Sequence, residues 1–197
     1  YLYEEDGKMS MIPWDYNLAF GGFQGAQDAE ALVNYPIDTP VSGGTVESRP
    51  MLSWIFASEE YAQIYHEYFA EFVETYFDSG YFAEMIDGVK ELISPYVEKD
   101  PTKFCTYEEF ETGIDTLKEF CLLRAESVAG QLDGRIPSTS DGQTQNAGEM
   151  VDATGINISD MGTMNGNMGM SGGSEETKGK MGMPDGRGMP GGDMKSD

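Results

Sequence analysis

Basic residues are scarce in this sequence: 12 Lys and Arg stand against 35 Asp and Glu, a formal net charge of -23 over 197 residues. So acidic a chain repels phosphate backbones, which excludes nucleic acid as a partner; it suits divalent cations and basic proteins, though such surplus carboxylate more often serves as a solubilising surface. Long apolar runs are missing too. No stretch approaches the roughly 18 residues that cross a bilayer, so no membrane span is expected in this chain. The start at Tyr1 has neither Met, nor a basic segment, nor a signal core, and reads as internal to a longer protein. Cysteine occurs twice, at Cys105 and Cys121. Cys121 lies on an apolar helical stripe and Cys105 just ahead of the same helix, so two buried thiols are expected.

The composition changes near residue 133. Residues 1–132 hold nearly all the aromatic and branched aliphatic side chains, and their 7 Lys and Arg against 25 Asp and Glu leave -18 in that part alone. Residues 133–197 are mostly Gly, Met, Ser, Asp and Asn, too poor in apolar surface to offset their ordering entropy, and read as a disordered Gly/Met-rich tail. Its Met-Gly pairs, such as Met181-Gly182-Met183, lack the Cys or His that would suggest a soft-metal site, and a flexible linker is the simpler reading.

Within residues 1–132 the pattern is α+β. Asp6-Gly7 between two short apolar-polar runs predicts a β-hairpin over residues 1–13, ended by Pro13, which cannot donate to a ladder. Residues 14–50, and residues 21–50 above all, are rich in Gly, Pro, Asn, Asp and Thr without period. They read as a long irregular loop, a candidate lid or docking segment. Helices follow over about 51–132. Pro50 opens a short one, and Ser58 caps a second over residues 59–77 with Tyr61, Ile64, Tyr65, Tyr68, Phe69, Phe72, Val73 and Tyr76 at helical spacing. A third carries Phe82, Met85, Ile86, Val89 and Ile93 and is expected to end or kink at Pro95. The fourth starts at Tyr107 behind a Thr106–Glu109 capping box, and its stripe runs through Phe110, Ile114, Leu117, Cys121, Ala125, Val128 and Leu132, with Gly113 a tolerable interruption. These stripes are expected to bury against one another and against the hairpin.

A strand that ends at Pro13 hands Asp15 to the mouth of a glycine-bearing loop, with Asn17 two residues on. Mg²⁺ takes hard oxygen ligands and often binds one or two carboxylates plus substrate phosphates, which a single placed Asp satisfies. Both residue types also serve after strands as turn residues that cap nearby backbone N–H groups, and the residues alone leave those two readings open. His66 has Glu59, Gln63, Ala70 and Glu74 as helical neighbours and reads as an exposed helix histidine rather than a general base.

The string Met11-Ile12-Pro13-Trp14-Asp15-Tyr16-Asn17-Leu18-Ala19-Phe20-Gly21 resembles the most specific motif of the CotH family of spore coat protein kinases. The similarity continues through Arg49-Pro50, Glu60-Tyr61 with Tyr65, and Lys118, Phe120, Arg124-Ala125-Glu126-Ser127-Val128 and Gln131-Leu132, over about residues 1–132.

That resemblance implies the C-terminal part of an atypical protein-kinase-like fold, with a hairpin and long loop packed on a mainly helical lobe. It implies phosphate transfer from ATP to serine of spore coat or secreted proteins, with Mg²⁺ or Mn²⁺, at the spore coat or outside the cell. Asp15 is the counterpart of the family's metal-binding aspartate and so of its nucleotide contact, and Asn17 is a further polar contact near the metal or a residue that holds the loop. The family's catalytic-base Asp, and its nucleotide-gripping Lys and Glu, precede the hairpin. No catalytic residue is therefore assigned here, the N-terminal part of the domain is an implied partner, and the chain alone is expected to be inactive. The alternative from another class is a non-catalytic acidic coat or surface scaffold.

Overall fold

The hairpin forms where Asp6-Gly7 predicts it. Strands β1 (Leu2–Glu5) and β2 (Lys8–Met11) pair antiparallel with Leu2 opposite Met11 and Glu5 opposite Lys8. Asp6 and Gly7 have φ of 53° and 78°, the primed turn whose twist matches that of its strands. Tyr1 and Ile12 exchange one more pair of hydrogen bonds, at 2.9 and 3.2 Å, before Pro13 ends the ladder. This computed structural model describes residues 1–14, 16, 19, 20 and 28–162. All of them fall in one unit, Tyr1–Gly166. Every strand residue is exposed, so the expected packing of the hairpin on the helices is absent among the described residues.

The rest is mainly helical, which makes the architecture α+β in class. Helix α1 (Ala29–Val33) is capped by Asp28, α2 (Pro50–Phe56) opens on proline, and α3 (Glu59–Val73) is capped by Ser58, whose side chain accepts from the Tyr61 N–H. A single π turn, Glu74–Asp78, closes α3, and Gly80 at φ 81° leads into α4 (Tyr81–Lys99). Helix α4 runs through Pro95 instead of ending there. Proline forfeits one bond close to the end of the helix, while Ser94 Oγ donates to the Lys90 carbonyl at 2.6 Å and Asp100 N–H closes the final turn. Helix α5 (Tyr107–Leu132) begins with the expected capping box, Glu109 N–H to Thr106 Oγ1 at 3.1 Å and Thr106 N–H to Glu109 Oε2 at 2.7 Å.

Helix α5 is the spine. On one side Phe120 and Cys121 pack with Ala29 and Val33 of α1, and with Ala153 and Ile156 from beyond α5. On another, Val128 packs with Ile37 and with Val73 of α3. Each buried Val, Ile or Phe side chain among these contributes about 1.5–3 kcal/mol of transfer free energy.

Two expectations of loop and tail change here. Residues 28–48 are irregular only in part: residues 34–45 hold no helix or strand, but α1 and a 3₁₀ turn, Val46–Ser48, flank them, and Val33, Asn34 and Ile37 are among the most deeply buried side chains described. Ordered structure also continues past residue 132. Helix α6 (Ser140–Gln145) and 3₁₀ turns at Ala147–Glu149 and Ile158–Met161 follow, with Ile136, Ala153 and Ile156 buried. A few apolar residues suffice because Ala153 and Ile156 join the cluster formed by α1 and α5 and Ile136 sits against Gly130 of α5, so composition alone understated them. Apart from Met161-Gly162, the Met-Gly pairs of the expected tail lie in residues 163–197, outside the described residues. Cys121 is buried as expected, but Cys105 is exposed, because the turn before α5 has no element over it; both thiols are free.

Candidate functional site

The hairpin delivers the chain to the expected metal loop. Trp14 meets Tyr1 edge-on, ring centroids 5.8 Å apart at 89°, which fixes the exit from β2. Tyr16 opens a turn in which its carbonyl accepts the Ala19 N–H at 3.0 Å, and Phe20 sits at φ 58°, an uncommon conformation for a bulky residue. Asp15 and Asn17 themselves lie outside the described residues. Among the described residues no group of three or more His, Cys, Asp or Glu could hold a metal ion. A site of the kind expected for Asp15 needs fewer protein ligands, since nucleotide phosphates supply the remainder.

Downstream of that loop the structure holds a polar clamp that the sequence reading missed. The backbone of residues 33–37 crosses α5, and three α5 side chains at helical spacing grip it. Arg124 Nη1 donates to the carbonyls of Val33 (2.9 Å) and Tyr35 (2.6 Å). Ser127 Oγ donates to Asn34 Oδ1 at 3.0 Å. Gln131 accepts the Ile37 N–H at 2.9 Å and donates to Tyr35 O and to Ser127 Oγ. Asn34, Ser127 and Gln131 are all buried, and among the described residues no buried side-chain polar atom lacks a partner. Such a network rigidifies because each unmade bond leaves a desolvated group.

Helix α3 closes the clamp from the other side. Tyr65 donates its hydroxyl to the Ile37 carbonyl at 2.8 Å, and His66 Nε2 lies 2.6 Å from Asp38 Oδ1. His66 is thus partly exposed and also a partner of Asp38: its helical neighbours gave no hint of a carboxylate delivered from 28 residues away. Burial, and secondarily the Asp38 carboxylate, push the Tyr65 phenol up to about 12. Burial pulls the Arg124 guanidinium down to about 10, with Tyr65 and Tyr35 opposing. Arg124 therefore stays a cation at neutral pH, held by carbonyl oxygens.

A family model described as CotH kinase protein matches residues 1–128. The chain belongs to the CotH kinase family. The match takes in the hairpin, the 11–21 string, the 33–37 crossing and most of α5 including Arg124 and Ser127. No curated protein and no solved structure matches the chain. Arg124, Ser127 and Gln131 were visible as part of the family likeness; their signal was polar residues breaking an apolar helical stripe. Among the described residues no helix is long and apolar enough to cross a membrane.

Proposed function

We propose that this CotH-family chain contributes the metal-binding loop and the helical lobe of a kinase that transfers phosphate from ATP to serine in spore coat or other secreted proteins. The observation that carries the reading is the 11–21 string, with Asp15 at its centre, inside the family match. In this role the Asp15 carboxylate holds Mg²⁺ or Mn²⁺ against the nucleotide phosphates, and Asn17 adds a polar contact beside the ion. The helical lobe carries the returning backbone on a buried clamp, which is a rigid base for such a loop. The test is phosphate transfer from labelled ATP by the full-length gene product and by its Asp15→Ala variant. Turnover that requires a divalent ion and vanishes in the variant is expected; equal turnover in both would sink the assignment.

A second reading, a non-catalytic scaffold for basic partners, draws on another observation. Trp54, Tyr61, Tyr68, Phe72, Tyr76 and Tyr81 form an exposed row along α2, α3 and the start of α4, each at least 42% exposed. Helix α3 flanks it with four Glu and no Lys or Arg. Aromatic faces beside carboxylates suit cationic side chains. Calorimetry separates the two readings: a scaffold binds no ATP–Mg²⁺ in a manner that depends on Asp15.

A further inference from the structure

Residues 133–162 lie beyond the family match, which ends at residue 128, yet they are built into the body. Their apolar side chains do part of this: Ile136, Ala153 and Ile156 are at most 8% exposed. Most of their hydrogen bonds to the rest of the chain, however, converge on one short target, residues 34–39. Asn34 and Val151 exchange two bonds of 2.9 Å, side-chain amide to backbone, as paired strands would. Gln143 Nε2 donates to the Asn34 carbonyl at 2.7 Å. The Asp38 N–H donates to the Ser138 carbonyl at 2.8 Å, while Ser138 Oγ donates to Asp38 Oδ2 at 2.6 Å. Ser140 N–H donates to Thr39 Oγ1 at 2.9 Å. The target is thus held between α5 beneath and this later segment above.

Residues 33 and 34, at the end of α1, are also where the chain first enters the buried network. Asn34 is the shared element: its side chain bonds Ser127 of α5 and Val151 at once. A segment that gripped the body for stability alone would be expected to spread its polar contacts along α5. Here, apart from the Ile136 N–H to Gly130 carbonyl bond, they fall on the peptide that follows α1.

We infer that residues 136–161 form a strap that locks residues 34–39 onto α5, and that this lock positions the peptide returning from the metal loop. The second half rests on the reading of Asp15 given above. Asn34 and Asp38 are then positioning residues, and the lock is a unit that opens separately from the helical spine.

Hydrogen exchange on the full chain tests the lock. The Ser138→Ala/Gln143→Ala variant removes three bonds from half-buried or exposed side chains without opening the core. The amides of Ile37, Asp38 and Val151 are expected to exchange about ten- to a hundredfold faster together, with the α5 amides before residue 126 unchanged. Unchanged rates at those three amides, or a rise spread equally through α5, would overturn the strap. Should the double variant not fold, Gln143→Ala alone is read the same way.

The positioning half is tested in the full-length gene product by the Mg²⁺ dependence of turnover. The variant is expected to raise the KM for Mg²⁺ several-fold with a smaller change in kcat, whereas simple loss of folded protein would lower kcat alone. An unchanged KM for Mg²⁺ defeats the positioning role. If Asp15→Ala leaves turnover intact, or the unmodified protein has none, the Asp15 reading and the positioning role fail together, and the exchange result still decides the strap.

Discussion

Replacing Gln131 by Leu isolates what the clamp contributes to stability. Gln131 is 4% exposed and serves three partners: it accepts from Ile37 N–H and donates to Tyr35 O and Ser127 Oγ. Leucine fills a similar volume but leaves the Ile37 N–H desolvated and unpaired, at a cost of about 1–3 kcal/mol. The two lost donations add roughly 0.5–1.5 kcal/mol each, less for Tyr35 O, which keeps its 2.6 Å bond from Arg124. The greater apolar surface of Leu returns about 1 kcal/mol. The net expectation is a loss of about 2–3 kcal/mol. For a folded body of this size each kcal/mol lowers Tm by about 2–4 °C, so Tm should fall by roughly 5–10 °C. Urea unfolding and calorimetry measure both quantities. The control is Gln63→Leu, where an exposed glutamine bonds only Glu67, and a change within about 0.5 kcal/mol is expected. A Gln131→Leu loss below about 0.5 kcal/mol, with the urea slope unchanged, would show that the buried bonds do not hold residues 35–37.

Two glycines should respond with opposite sign to alanine. In α5 a Cβ at Gly113 would come within 2.8 Å of the Asp160 backbone oxygen, so the helix-propensity gain of about 1 kcal/mol is outweighed and Gly113→Ala should destabilise by roughly 1 kcal/mol. In α4 a Cβ at Gly88 meets nothing within 4 Å, so Gly88→Ala should stabilise by about 0.8–1 kcal/mol; urea unfolding reads both. Burial pushes the Cys121 thiol up to about 12, so a thiol reagent at pH 8 should label one equivalent, abolished by Cys105→Ser, and two in denaturant. Because the folded pKa values of Cys121 and Tyr65 lie above their ordinary ones, the stability they contribute is complete below about pH 9 and is lost as pH rises toward 12. Arg124, depressed to about 10, opposes that loss only above pH 10, so urea midpoints should decline between pH 9 and 10, and less so in Cys121→Ala.

What could be read from sequence was whatever repeats locally. Asp6-Gly7 specified its turn, Ser58 and Thr106 specified their caps, and the stripe through Cys121, Ala125 and Val128 specified the buried side of α5. Residues 28–39 could not be read this way. Val33 and Ile37 are buried without period, beside an Asn whose burial is offset by partners at positions 127 and 151. Composition likewise judged residues 133–162 as a chain in isolation, whereas their ordering depends on apolar partners in α1 and α5 and on hydrogen-bond partners supplied by residues 34–39. Gly113 looked like a tolerated defect in a helix. It is the place where α5 lets the backbone at Asp160 approach. Asp15 and Asn17, the residues on which the functional reading turns, stand outside what the structure describes, and their roles rest on the family likeness.

The described part of the 11–21 string bears on that reading through its exposure. Trp14 and Tyr16 are each 71% exposed and Phe20 50%. Large aromatic side chains left in water contribute little to folding, and the hairpin that carries Trp14 is itself uncovered. Packing within this body therefore does not account for three aromatic residues so close to Asp15. The stability of the chain resides in α5, α1, α3 and the strap, where Val33, Ile37, Phe120 and Val128 are buried. In the reading proposed above, these exposed side chains meet what lies beyond this body: the N-terminal part of the domain and the nucleotide whose metal Asp15 would hold.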